Sequence, residues 1–76
     1  MVSYTYTVIL EPDEAGGFTA FCPAIPGVVT EDESVEETLR MARDAITGYL
    51  ESLRKDGLPI PKERGAIISP MTIALL

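Results

Sequence analysis

Residues 34 to 57 read "SVEETLRMARDAITGYLESLRKDG". Ser34 followed three residues later by Glu37 is a capping-box pattern, in which hydroxyl and carboxylate satisfy N–H groups that the first helical turn leaves orphaned. The spacing predicts a helix starting at Val35. From there Val35, Leu39, Ala42, Ile46, Tyr49 and Leu53 recur at alternating steps of four and three, an apolar stripe along one side. Met41, Ala45, Gly48 and Ser52 lie beside it and are small or flexible. Gly48 is worth about 1 kcal/mol less than alanine in a helix interior, so close approach to a neighbour is the reason to place it there. Glu36/Arg40, Arg40/Asp44 and Glu51/Lys55 are spaced to pair on the opposite, solvated face. Gly57 is positioned as the C′ residue that ends the helix. One such helix hides one stripe, so the rest of the chain must supply what it covers.

Upstream, residues 2–10, "VSYTYTVIL", alternate with period two: Val2, Tyr4, Tyr6, Val8 and Leu10 share one face, and Ser3, Thr5 and Thr7 the other. That is a half-buried strand. Residues 11–17, "EPDEAGG", form a turn before "FTAFC" resumes a β-like run, which makes a hairpin. Pro23, Pro26 and Gly27 then punctuate "CPAIPG" as a rigid turn, followed by "VVT" as a brief, antiparallel third strand. Beyond the helix, "LPIPKERG" is an extended proline linker. The closing residues, 66–76, "AIISPMTIALL", form a last strand that is apolar on both faces, with Pro70 favouring an edge, a bend or an interface. The expected fold is therefore α+β, in the order β-β-β-α-β: an antiparallel three-stranded sheet plus one C-terminal strand, with one helix packed on one face. The uncovered face or the exposed edge is expected to meet another subunit, giving a homo-oligomer, dimer or tetramer.

At 76 residues and 8.2 kDa the chain makes one small domain, residues 1–76, and a chain of that size hides only about 60% of its unfolded surface. With 46% apolar and 24% charged residues it is globular rather than disordered. No apolar run approaches the roughly 20 residues that span a bilayer. The N-terminus lacks the basic start and continuous apolar core of a secretory signal, so a cytoplasmic location without membrane contact is expected. A single cysteine cannot form an internal disulfide, in keeping with a reducing compartment.

The net charge of -6 is unevenly spread. Residues 1–39 carry Glu11, Asp13, Glu14, Glu31, Asp32, Glu33, Glu36 and Glu37 but no lysine or arginine. A field of one sign over half a domain repels nucleic-acid phosphate and attracts cationic surfaces. Tyr4, Tyr6, Phe18, Phe21 and Tyr49 sit at core-like spacings without basic neighbours, so direct nucleic-acid binding is not expected.

The chain has no histidine, which removes the commonest general base and metal ligand at neutral pH. Cys22 has an acidic flank and no nearby base in sequence to form its thiolate, and reads as a small buried apolar residue. It cannot build a zinc site alone. Glu11, Asp13 and Glu14 fall at a hairpin and Glu31, Asp32 and Glu33 before a helix, without the loop spacing of a calcium-binding EF-hand. No catalytic residue, metal or cofactor is expected. The rival reading is a carboxylate-metal nuclease centred on Glu11, Asp13 and neighbouring acids. A further alternative is a domain that only self-assembles.

The succession Tyr4, Val8, Glu11, Asp13, Gly17-Phe18, Ala20, Cys22-Pro23, Ile25-Pro26-Gly27, Thr30, Ser34, Glu36-Glu37, Leu39, Ala42, Ala45-Ile46, Tyr49-Leu50, Gly57 and Pro59-Ile60-Pro61 resembles the HicB antitoxin family over about residues 4–61. Its most specific part is G-[FY]-x-A-x-C-P-x-x-P-G, carried here by Gly17, Phe18, Cys22, Pro23, Pro26 and Gly27. The resemblance implies a partial ribonuclease H-like fold without catalysis, not an enzyme. It also implies a partner: a small, basic, HicA-like toxin ribonuclease whose active site the antitoxin covers. Asp13, Glu14, Glu31, Asp32, Glu33 and Glu36 are the expected partner-binding residues. Glu31 and Thr38 stand where the family often has glycine and alanine. Full-length members usually carry a C-terminal DNA-binding domain, and this sequence ends before one, so autorepression is not expected of it.

Overall fold

A computed structural model describes residues 2–76. Three strands, β1 (Ile9–Pro12), β2 (Phe18–Cys22) and β3 (Ile25–Asp32), precede one helix, α1 (Val35–Lys55). The strands pair antiparallel in the order β1-β2-β3. The β1–β2 turn closes through Asp13 N–H to Gly17 O and Gly16 N–H to Asp13 O, both 3.0 Å. Gly16 and Gly17 supply its positive φ values, 98° and 82°.

The third strand is longer than expected, running from Ile25 to Asp32 rather than over 28–30. Pro26 and Gly27 do not break it, because the register shifts between Phe21 and Cys22: Phe21 faces Val29, but Cys22 faces Ile25. The extra residues are taken up in this irregularity, where a proline without an N–H is tolerated. The first strand is shorter than expected, since residues 2–8 are unpaired and only Ile9–Pro12 join the ladder.

Phe18, Ala20 and Cys22 point to the helix side of β2 by strand alternation, and Ala20 and Cys22 are fully buried there. With Ile25 and Val28 they meet Thr38, Ala42 and Ile46 of α1, while Tyr6, Val8, Ala45 and Leu50 pack around that cluster. The buried stripe of α1 is thus rotated from the expected one toward Thr38 and Ala45. Val35, Leu39 and Tyr49 stay at least two-fifths exposed. The sheet is only three strands wide, and it covers the middle of the stripe and leaves its margins open.

Both ends of α1 behave as their sequence dictates, with one difference. Ser34 Oγ accepts the Glu37 N–H at 3.1 Å, but the Glu37 carboxylate turns to Arg40 instead of returning to Ser34, whose own N–H has Asp32 Oδ2 at 3.5 Å. Of the expected surface pairs, Arg40–Asp44 forms at 3.1 Å, and Glu37 takes the place of Glu36 as the other partner of Arg40. At the far end Leu58 N–H bonds to Leu53 O (2.9 Å) and Gly57 N–H to Arg54 O (3.2 Å), with Gly57 at φ 67°. This is a Schellman ending.

Residues 66–76 do not form the expected fourth strand. Strand geometry is stabilised by a ladder partner. Among the described residues no hydrogen bond joins this segment to the rest of the chain. It runs outward with every side chain exposed.

Candidate functional site

The register carries the six partner-binding candidates to one end of the sheet. Pro12, Phe18 and Asp32 form the last rung across the three strands, and Glu11, Thr19 and Glu31 form the rung before it. Asp13 and Glu14 follow β1 directly, Asp32 closes β3, Glu33 bridges to the helix cap, and Glu36 lies in the first turn of α1. The β1–β2 turn and the continuous β3–α1 junction, separated along the chain by β2 and most of β3, therefore end beside one another.

Local contacts fix this end. Gly17 is packed against β3: a Cβ added there would stand 2.6 Å from the Asp32 carbonyl oxygen. The Thr19 hydroxyl donates to the Asp13 carboxylate, 2.9 and 3.0 Å from its two oxygens. The buried Thr38 hydroxyl donates to Ser34 O at 2.6 Å, and Thr38 O accepts from the Thr30 hydroxyl at 3.1 Å. Thr38 therefore ties the helix start to β3, a role that its position on the helix alone does not reveal. The signal was its place four residues after the cap, where a threonine hydroxyl reaches back to the carbonyl of the preceding turn.

Glu14, Glu31, Glu33 and Glu36 are exposed, whereas Asp13 and Asp32 are half-buried. Glu36 and Glu37 sit where the helix dipole favours anions. Glu37 differs from its neighbours in having Arg40 as a partner, and the hydrogen bond from that guanidinium holds its carboxyl below the usual carboxylate range. Glu11 and Glu31 flank Thr19 on the sheet face away from α1, two strand spacings or about 10 Å apart. Among the described residues no three acids or cysteines converge as a group able to hold an ion. The same face continues through Ile9, Phe21 and Val29, and Val29 is 61% exposed. The acidic end thus borders an apolar strip.

The motif residues have structural placements. Gly17 makes the close approach to β3, Phe18 is half-buried at the start of β2, and Cys22 is a free thiol in the core. Pro23 stands in the β2–β3 turn, and Pro26 and Gly27 lie exposed at the register shift.

On the other side of the sheet, a groove of about 760 Å³ opens between residues 2–8 and α1, lined by Tyr4, Tyr6, Val8, Leu39, Ile46 and Leu50 among others. The Val2-Tyr4-Tyr6-Val8 face read from the sequence is the wall of this groove. The chain that follows α1 returns beside it. The Tyr6 hydroxyl donates to Pro61 O at 2.6 Å, and Thr7 gives its N–H (3.1 Å) and its hydroxyl to the Glu63 carboxylate. Those donors hold the Glu63 carboxyl below its ordinary range. Burial, with lesser help from Tyr4, Cys22 and Glu63, raises the Tyr6 phenol.

Three antiparallel strands under one helix, with carboxylates gathered at one end, define a small α+β domain. The chain belongs to the HicB-like antitoxin family of bacterial toxin-antitoxin systems, whose model matches residues 6–69. It is 40% identical over 70 residues to UPF0150 protein ssr1765 of Synechocystis, covering 92% of this chain and 87% of that one. It is 38% identical to UPF0150 protein Ta0767 of Thermoplasma acidophilum, covering 84% and 93%. It is also 37% identical to Antitoxin HicB 1 of Photorhabdus laumondii, covering 91% of this chain but 47% of that longer protein. Among the described residues no helix is long and apolar enough to cross a membrane.

Proposed function

We propose that this domain is an antitoxin module that neutralises a small, basic ribonuclease of the HicA type by covering its active site, without catalysis of its own, and that it works in the cytoplasm as a homo-oligomer. The observation that carries the reading is the convergence of Asp13, Glu14, Glu31, Asp32, Glu33 and Glu36 at one end of the sheet. A ribonuclease must present cations to phosphate, and a carboxylate-rich end competes for those cations. Such complementarity speeds encounter and selects the partner more than it adds affinity. The Ile9-Phe21-Val29 strip beside the acids offers the apolar centre that a stable interface needs.

The test is co-expression with the small basic protein encoded beside the gene. Co-purification that weakens with salt, and rescue of cells from that protein's toxicity, are the expected results. Failure to bind it in low salt would overturn the reading. Magnesium-dependent RNA cleavage by this chain, abolished by Glu11→Ala or Asp13→Ala, would establish the nuclease instead.

A further inference from the structure

The C-terminal segment is the least explained part of the molecule. Residues 66–76 contain no charged side chain, yet Ile67 is 91%, Met71 81% and Leu75 90% exposed. Soluble monomers rarely display contiguous apolar surface on this scale. The radius of gyration is 15.1 Å, against about 11 Å for a compact domain of this length. The excess is this arm, which stretches the molecule to 54 Å.

The place where the arm leaves is defined. Up to Glu63 the chain is tied to residues 6–7. Gly65 then takes φ +70°, a left-handed conformation that turns the backbone. Beyond it, among the described residues, no hydrogen bond returns the segment to its own sheet. Five residues before this turn, Ile60 stands in the wall of the groove between residues 2–8 and α1.

We propose that residues 66–76 are an exchange arm: two copies of this chain pair about a two-fold axis, each laying its arm into the other's groove between residues 2–8 and α1. This rests on the homo-oligomer reading above and specifies how the copies join. Each chain carries one apolar arm and one open groove, in which Tyr4, Leu39 and Ile46 stand beside the charged Arg43, Glu51 and Arg54 of α1, and a two-fold axis fills both at once, leaving neither for further growth. The arm is long enough: eleven extended residues span about 36 Å, and the stretch of α1 that lines the groove, Leu39 to Arg54, is roughly 24 Å long. An uncharged arm offers nothing to a cationic partner, and the acids proposed to meet that partner belong to the β1–β2 turn, β3 and the helix start.

The test uses the full chain and three variants, with mass in solution measured by light scattering. The wild type is expected at twice the chain mass. A chain ending at Gly65 is expected to be monomeric with its helix signal intact, because the deleted residues are exposed and no hydrogen bond among the described residues ties them to the fold. Tyr4→Asp with Leu39→Asp, both at exposed positions in the groove wall, is likewise expected to be monomeric. Mixing the two defective chains is expected to restore a heterodimer, since one arm and one groove survive. Independently, Tyr4→Cys with Met71→Cys should form disulfide dimers under mild oxidation, while the buried Cys22 stays silent. A monomeric wild type would overturn both the oligomer and the exchange. A truncated chain that remains dimeric, no heterodimer on mixing, or a disulfide found only within one chain would overturn the exchange alone.

Discussion

Gly17 lies against Asp32 so closely that a Cβ on the glycine would stand 2.6 Å from the aspartate carbonyl oxygen. This contact locks the β1–β2 turn to the end of β3, and so holds the two acidic pieces together. Gly17→Ala therefore combines a left-handed backbone, φ +82°, with a clash against main chain that cannot rotate away. Its expected cost is about 1–3 kcal/mol. Gly16→Ala at φ +98° meets open space and should cost less, about 1 kcal/mol. Urea denaturation of the two variants decides this. Equal midpoints would show that the contact with Asp32 carries no energy.

Thr38 is the one fully buried polar side chain among the described residues. Thr38→Val keeps its volume and deletes the hydroxyl that bonds to Ser34 O. The expected loss is about 1 kcal/mol, the net worth of an ordinary intramolecular hydrogen bond. Helix content should be unchanged, because the Ser34 cap on the Glu37 N–H remains.

Cys22 is 1% exposed in the core, beside Ile25 and Val28. Its thiol should react with a water-soluble disulfide reagent only at the rate at which the fold opens, and at once in denaturant. Cys22→Ala should cost about 1–2 kcal/mol as a small cavity. Cys22→Ser should cost more, since it buries a hydroxyl where the core offers apolar neighbours. Rapid labelling of the native protein would contradict the burial.

Glu63 gives the strap, the stretch Pro61–Glu63 bonded to Tyr6 and Thr7, a pH dependence with a definite sign. Its carboxyl is held below the ordinary value of 4.5 by the hydrogen bonds from Thr7. A group depressed in the folded state contributes stability that is present above its unfolded value and is lost as pH falls through the folded one. The strap over residues 6–7 should therefore hold at neutral pH and loosen in acid below that value. Glu63→Gln should remove this part of the acid sensitivity, as read by hydrogen exchange at the Thr7 amide. Thr7→Val should return the Glu63 titration toward its ordinary position.

The parts of the fold written in local patterns were legible. The helix could be placed from Ser34, Glu37 and Gly57, the hairpin from Gly16-Gly17, and the buried thiol from an acidic flank with no base. Features set by what lies across space were not. The course of β3 through Pro26-Gly27 depends on a register shift against β2 that neither strand reveals alone. The rotation of the buried helix face depends on the width of the sheet, and the Glu37–Arg40 pair on a carboxylate choosing between a backbone N–H and a guanidinium. Residues 66–76 read as a strand because their composition suits one, but they pair with neither outer edge of the three-stranded sheet. The acids could be listed from the sequence, yet their meeting at one end follows only from the pairing of Thr19 with Glu11 on one side and Glu31 on the other.

That convergence leads to the prediction on which the binding role depends most. Glu14, Glu31, Glu33 and Glu36 are exposed and clear of the core, so reversing Glu31 and Glu33 to lysine should change stability by no more than about 0.5 kcal/mol each. Relief of like-charge crowding could even favour the fold. The effect should appear in association with the neighbouring basic protein, chiefly as a slower on-rate at low ionic strength that converges with the wild type as salt is raised. Glu51→Lys changes the charge on α1 by as much as Glu31→Lys alone, away from the acidic end, and should leave the rate closer to the wild-type value than that single reversal does. If the two sites slow association alike, net charge rather than the acidic end steers the encounter, and the binding surface must be sought elsewhere on the sheet.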